Sequence, residues 1–316
     1  MIKSSYKKLG LLVVISAVVF LILSFAINKN IISQYYARIL VLICINIIMA
    51  LSLNLIVGFT GQLALGHSGF MSIGAYTAAM LTMKLQMPFI ASLALGGVFA
   101  AFIGFLIGVP TLKLKGDYLA ITTLGFCQII VVVMQNIPAV GGAQGLTGIP
   151  AKTTFGAAFI GMIITLIVIY NIVHSSQGRA MISVREDEIA AEAMGINTTK
   201  YKIMAFVVGA FFAGLAGGLY SHYMMYIEPN QSFNFLKATD IVVYVVLGGM
   251  TIPGCMISTA ILTYLPEGLR GFGDFRMVIY PILLILIMIL GAKGITPSKI
   301  FKRKSLAKGG ENNATA

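Results

Sequence analysis

Charge is what this sequence has least of. Only 10% of its 316 residues are Asp, Glu, Lys or Arg, where a water-soluble domain of this length carries about a quarter. So few charges cannot cover a soluble surface. Carboxylates are scarcer still, ten in all. Cysteine is nearly absent: Cys44, Cys127 and Cys255 stand far apart in apolar segments. They offer no CxxC metal spacing and no disulfide framework, and read as small buried apolar side chains. Catalytic signatures are missing too. There is no GxxxxGK[ST] nucleotide loop and no HExxH, and no GxSxG or Ser-x-x-Lys in a catalytic context. An integral-membrane enzyme would need such a cluster.

What is present is apolar: 58% hydrophobic residues and a mean hydropathy of +0.94. Long uncharged stretches separate the charges, the pattern of an all-α polytopic membrane protein. The net charge of +12 does not point to nucleic acid. The basic residues lie between and beyond apolar spans, where they fix membrane orientation, and no aromatic-interleaved basic patch occurs. The N-terminus, "MIKSSYKKLGLLVVISAVVFLILSFAI", has an apolar run too long for a signal peptide and no A-x-A site. It is expected to be a retained first span.

A helix crosses the hydrocarbon core with about 20 apolar residues. Spans are expected near 9–27, 39–57, 64–83, 89–110, 118–136, 155–174, 203–225 and 277–292: about eight transmembrane helices, plus a broken or re-entrant element near 239–265. Backbone groups cannot go unpaired in lipid, and the alternation of a barrel is absent. Lys3, Lys7 and Lys8 place the N-terminus in the cytoplasm. Counting spans then puts Lys113, Lys115 and the loop 175–202 inside. The basic tail, with Lys299, Lys302, Arg303, Lys304 and Lys308, also belongs inside. Parity holds only if 239–265 enters and leaves on one side. "LGGMTIPGCM" supplies the break, since Pro and adjacent Gly disfavour a continuous helix; a Pro-kinked ordinary span is the other reading. Residues 1–292 thus form one transmembrane domain, and 293–316 a cytoplasmic tail expected to be disordered. Small residues recur at close-packing spacing: Ala100, Gly104 and Gly108; Gly209, Ala213 and Gly217; Gly214 and Gly218.

Four of the ten carboxylates, Glu186, Asp187, Glu188 and Glu192, fall in "REDEIAAEAMG". Good helix formers run from Glu186 to Met194, and Gly195 supplies a stop. Ile189, Ala190, Ala193 and Met194 share one side. A short amphipathic helix is expected. It is either a solvated connector or a docking helix whose apolar ridge enters a partner's groove.

Polar residues at membrane depth are functional candidates by default. Asp117, after Gly116, reads as a helix cap or a gate on a substrate path. His67, between Gly66 and Gly69, reads as a hydrogen-bonded packing residue or a proton relay. No Asp/Glu/His chain accompanies it. Asn46, Asn54 and Gln62 suit cross-helix hydrogen bonds or a polar path. Gln144, in "GGAQGLTG", reads as an ordinary turn or a contact at an external mouth. Asp240 is expected to cap the first arm of the broken element.

"GRAMISVREDEIAAEAMGINTTKYKIMAF" strongly resembles the cytoplasmic loop of ABC-importer permeases for branched-chain amino acids, above all the LivM type of the LivH/LivM permease family. "LSLNLIVGFTGQLALGHSGFMSIGAYTAAML", "GDYLAITTLGF" and "GGAQGLTGIP" match in kind and order, and the resemblance covers about residues 35–292. Two departures stand out. A longer Gly-rich turn with an aromatic often follows "LGGM" in the family, and "RPxG" often ends its last span; here the chain reads "TIPGCM" and "GAKGITP". The resemblance implies a non-catalytic subunit without a cofactor of its own. Partner ATP-binding subunits would hold ATP and Mg. A second permease chain would share the path, and an external substrate-binding protein would deliver branched-chain or related hydrophobic amino acids. It implies a bacterial inner membrane, with both termini cytoplasmic, lipid around the chain and no nucleic acid. Arg185, Glu186, Asp187, Glu188, Ala191 and Gly195 become the expected ATPase contact. Asn54, Gln62, His67, Asp117 and Gln144 become candidates for the substrate path. Relatives carry urea, amides, nucleosides or sugars, so the same architecture leaves those cargoes open. An ion-coupled secondary transporter would need internal repeats and buried acids, which are not evident.

Overall fold

The computed structural model describes residues 33–292 other than 113 and 115, together with Ser24 and Lys29. The expected first span, 9–27, the lysines at 3, 7, 8, 113 and 115, and the tail 293–316 lie outside the described residues. Residues to Thr263 belong to one compact unit and those from Tyr264 to a second.

Twelve helices are described: α1 Gln34–Thr60, α2 His67–Lys84, α3 Phe89–Thr111, α4 Asp117–Asn136, α5 Phe155–His174, α6 Ser176–Glu186, α7 Glu188–Ala193, α8 Thr198–Met224, α9 Pro229–Ser232, α10 Phe235–Leu247, α11 Ile252–Gly268 and α12 Arg276–Ala292. A two-residue antiparallel pair, β1 (Leu146–Thr147) with β2 (Tyr226–Ile227), is the sheet described. Among the described residues, five helices, α1, α3, α4, α5 and α8, are long and apolar enough to cross a membrane. The chain is an all-α polytopic membrane protein. These five answer to the expected spans 39–57, 89–110, 118–136, 155–174 and 203–225; 64–83 and 277–292 are helical, as α2 and α12, but fall outside that set, and 239–265 is broken as expected, into α10 and α11.

α1 lies at the centre of the first unit, 78% buried across its most apolar window, against 33% for α3 and 28% for α4. α3 turns Ile90, Phe99, Phe102 and Phe105 outward, side chains suited to lipid. The small-residue registers do what their spacing implies. Gly74 on α2 meets the Gly214 backbone on α8, Gly214 meets Ala100 on α3, and Gly217 meets the Met71 carbonyl. A side chain at Gly74 or Gly217 would overlap backbone atoms, so glycine is what lets these helices approach so closely.

The expected start of the third span, residue 64, is not helical. α1 ends at Gly61, in the left-handed region at φ 70°, and Gln62 N–H returns to Ile56 O at 3.2 Å, a glycine stop closed by a backbone bond. Residues 61–66, "GQLALG", then form irregular backbone, and α2 begins only at His67. His67 lies level with Ser52, eight residues before the end of α1, or about 12 Å along a helix rising 1.5 Å per residue. Irregular backbone at this depth survives because it is packed in protein. Leu65 N–H donates to Thr123 Oγ1 at 3.1 Å, and Gly66 sits on the Thr123 carbonyl.

The broken element is a helical hairpin. Ser258 Oγ donates to Tyr244 O, and Gly248 lies against Cys255, so α11 folds back along α10. Asn234, not Asp240, caps α10, accepting from Lys237 N–H at 3.0 Å. Asp240 sits in the second turn, where a cap is no longer needed. The Asn46 amide ties the arms at their open end: its Nδ2 donates to Thr263 Oγ1 and its Oδ1 accepts from Lys237 Nζ, each at 3.1 Å. The tip, Gly248 to Thr251, lies beside Gly58 near the end of α1.

Within the second unit, α12 contains Pro281 and exposes Val278, Ile282, Ile285 and Ile289. Arg270 and Glu267 form an ion pair at 3.5 Å.

Candidate functional site

The loop 175–202 folds as an elbow. Ser175 caps α6 by accepting from Gly178 N–H, and Asn197 caps α8 by accepting from Lys200 N–H. The single helix expected from Glu186 to Met194 is two. Asp187 breaks it with extended backbone (φ −157°, ψ 110°). Its Oδ1 accepts from Ile189 N–H at 2.9 Å and Ala190 N–H at 3.0 Å. Aspartate competes with the backbone for such donors, so good helix formers on both sides do not join through it. Gly195, at φ 80°, ends α7 as expected.

The gathered carboxylates are spent inside the chain. Glu186 pairs with Arg185. Asp187 is the α7 cap. Glu188 Oε1 meets the buried Lys202 Nζ at 2.7 Å, and Glu192 accepts from Thr198 Oγ1 at 2.7 Å. Arg185 also turns inward, its Nη1 donating to Gly58 O at 2.7 Å. That is one of the carbonyls a helix end leaves unpaired, where a cation is favoured. Ala191 is buried and faces its own chain. What remains outward is the apolar ridge: Ile189 is 76% exposed and Met194 82%, with Ala190 and Ala193 exposed between them. Behind the elbow lies a half-open pocket of about 220 Å³, lined by residues that include Gly61, Gln62, Leu119, Arg185, Asp187 and Lys202.

The path candidates separate into two groups. Asn54, Gln62 and His67 are 0%, 4% and 1% exposed. Both amide atoms of Asn54 and of Gln62, and His67 Nδ1, lack a hydrogen-bond partner among the described residues. His67 Nε2 meets Ser52 Oγ at 2.7 Å. With the Ser52 proton directed to Met49 O at 2.8 Å, the ring donates through Nε2–H and Nδ1 is left as a bare acceptor. Asp117 and Gln144 are exposed and join neither each other nor this interior set. Asp117 is the first residue of α4 and caps nothing; Gly116, at φ 58°, is the flanking residue. It still lies where the helix dipole favours an acid. Gln144 lends its carbonyl to Tyr226 Oη at 3.1 Å.

Lys202, Lys237 and Met250 were not among the expected site residues. The signal for Lys202 was its spacing: a lysine one turn into an apolar helix must find an anion or water. Lys237 lay just ahead of the stretch taken as apolar.

A family model described as "Branched-chain amino acid transport system / permease component" matches residues 35–291. The chain belongs to this permease family. The match encloses the elbow, the irregular 61–66 stretch and the hairpin. Among its relatives, the high-affinity branched-chain amino acid transport system permease proteins LivM of Salmonella typhimurium and of Escherichia coli K12 are each 33% identical over 72% of the chain. The chain spans 61% of the length of each. A permease relative named LivH from Escherichia coli K12 is 33% identical over 39% of the chain and 40% of its own length. No solved structure matches this permease.

Proposed function

We propose that the chain is a membrane subunit of an ATP-driven importer for branched-chain or related hydrophobic amino acids. The observation that carries the proposal is the family match across residues 35–291; the relatives named for branched-chain amino acid transport suggest the cargo. The chain does no chemistry and needs no cofactor of its own. ATP and Mg are held by partner ATP-binding subunits, which dock on α7. A second permease chain completes the path, and an external substrate-binding protein delivers the amino acid. The chain sits in a bacterial inner membrane with both termini, and therefore the elbow, in the cytoplasm.

The outward ridge of α7 supports the docking part. Ile189 and Met194 are large apolar side chains held almost fully in water, and a surface of that kind is a contact awaiting its partner. The charged residues of the elbow hold the ridge in position. Asn54, Gln62 and His67 shape the wall of the path from behind, and Asp117 and Gln144 stand toward its two ends.

A tagged pull-down from native membranes in mild detergent tests this. Recovery of a P-loop ATPase and a second permease is the expected result. Recovery of this chain alone, stable and monodisperse, would overturn the importer reading in favour of a self-sufficient transporter.

A further inference from the structure

The elbow, the end of α1 and the tip of the hairpin converge on one glycine. Arg185 holds Gly58 by its carbonyl at 2.7 Å and packs on the α1 stop, where a Cβ at Gly61 would lie 2.9 Å from Arg185 Cγ. On its side-chain face, Gly58 lies against Asn54 and the tip: a Cβ there would overlap Asn54 Oδ1 and lie 3.2 Å from Met250 Cβ. Two features at this junction do not suit a contact made only for stability. Met250 holds φ 56°, in the left-handed region that disfavours any residue with a Cβ. One turn before Gly58, Asn54 is fully buried with neither amide atom paired among the described residues. Strain and an unpaired buried amide, side by side, call for a role beyond packing.

We propose that Arg185 is a positioning residue that acts through Gly58 on the hairpin tip, so that displacement of α7 moves Gly248–Thr251 against the end of α1 during each transport cycle. This rests on the transport reading above. In the displaced arrangement Met250 leaves the left-handed region, and the Asn54 amide gains the space that the tip now fills.

The test fixes the tip. Gly58→Cys and Met250→Cys are introduced into a chain whose three native cysteines are replaced by alanine, assembled with its partner subunits in membrane vesicles. The separation is close to that of disulfide Cβ atoms, about 3.5–4.5 Å. The unpartnered Asn54 amide can turn aside to admit the new side chain. Oxidation should form the crosslink, abolish uptake of radiolabelled leucine and depress ATP hydrolysis, with subunit assembly unchanged and full recovery on reduction. Full uptake by the crosslinked chain, or no crosslink at all, overturns the proposal. If the reduced chain and its cysteine-free parent both fail to take up leucine, the transport reading fails instead. The link is then judged on the ATP hydrolysis of the assembled complex.

Arg185→Leu and Arg185→Lys give a second measurement should the cysteine pair not fold. The ratio of leucine moved to ATP hydrolysed should fall for leucine and hold for lysine, which can still donate to Gly58 O. Equal ratios in the two variants also overturn it.

Discussion

Replacing Asp187 separates what its charge does from what its oxygen does. Its Oδ1 satisfies two of the N–H groups that open α7, and α7 is only six residues long. Losing such a cap costs about 1–2 kcal/mol. A helix this short has almost no propagation energy to offset the loss. At RT of about 0.6 kcal/mol, that loss raises the population of locally opened α7 by about 5–30-fold. Hydrogen exchange on the assembled complex reads it directly. In Asp187→Ala the amides of Ile189 to Met194 should exchange faster by that factor, while those of α8 stay as they were. Asp187→Asn keeps an oxygen in the same place, because asparagine caps as well as aspartate, and should remain near the parent. Transport should follow the exchange, lowered in the alanine variant and nearly normal in the asparagine variant. If asparagine loosened α7 as much as alanine did, the cap reasoning would be refuted. If asparagine kept α7 ordered yet abolished transport, the carboxylate would be serving a partner and not the elbow.

Charge on the ridge is the complementary perturbation: Ile189→Asp or Met194→Glu leaves every elbow contact intact. Either should abolish ATPase association in a pull-down, with normal membrane insertion. Retained association would remove α7 from the docking surface. The Glu188–Lys202 pair is largely shielded from water, and a double-mutant cycle on thermal inactivation should give a coupling of about 1–2 kcal/mol. A value near zero would mean that water already screens it. Gly217→Ala drives a methyl into the Met71 carbonyl and should cost about 1–3 kcal/mol. Gly125→Ala on α4, where the added carbon meets nothing within 4 Å, should stabilise by up to about 1 kcal/mol. Denaturation midpoints of the two variants should therefore move in opposite directions.

Most spans were legible because one property, twenty apolar residues without charge, decides them, and nothing nearby competes. The hairpin was legible for a different reason: Gly248, Gly249 and Pro253 weaken the helix locally, and charge parity demanded a return. The stretch 61–66 was not legible. "GQLALG" is apolar enough to continue a helix, and what keeps it out of one is the Gly61 stop and the tertiary seat of Gly66 on Thr123. Asp187 failed in a similar way. Its neighbours favour helix, and only the capture of two N–H groups by its side chain reveals the break. The polarity of Asn54, Gln62 and His67 was visible in the sequence, but their complete burial was not. An apolar chain prints few signs of which face of a helix meets protein and which meets lipid.

The late start of α2 also bears on how the chain is made. α2 is not among the five helices of the described residues that are able to cross a membrane by length and composition. Its sequence, "HSGFMSIGAYTAAMLTMK", is rich in residues that partition weakly into lipid by themselves. On emerging from the ribosome it has little reason to leave the insertion channel. Its glycine face is shaped for α8, which is synthesised much later, and its first turn for Ser52 of α1. Insertion of this segment is then a cooperative assembly step, completed when α3 and α8 arrive. A nascent chain halted after Lys84 should expose α2 to glycosylation or protease, and one halted after Met224 should not.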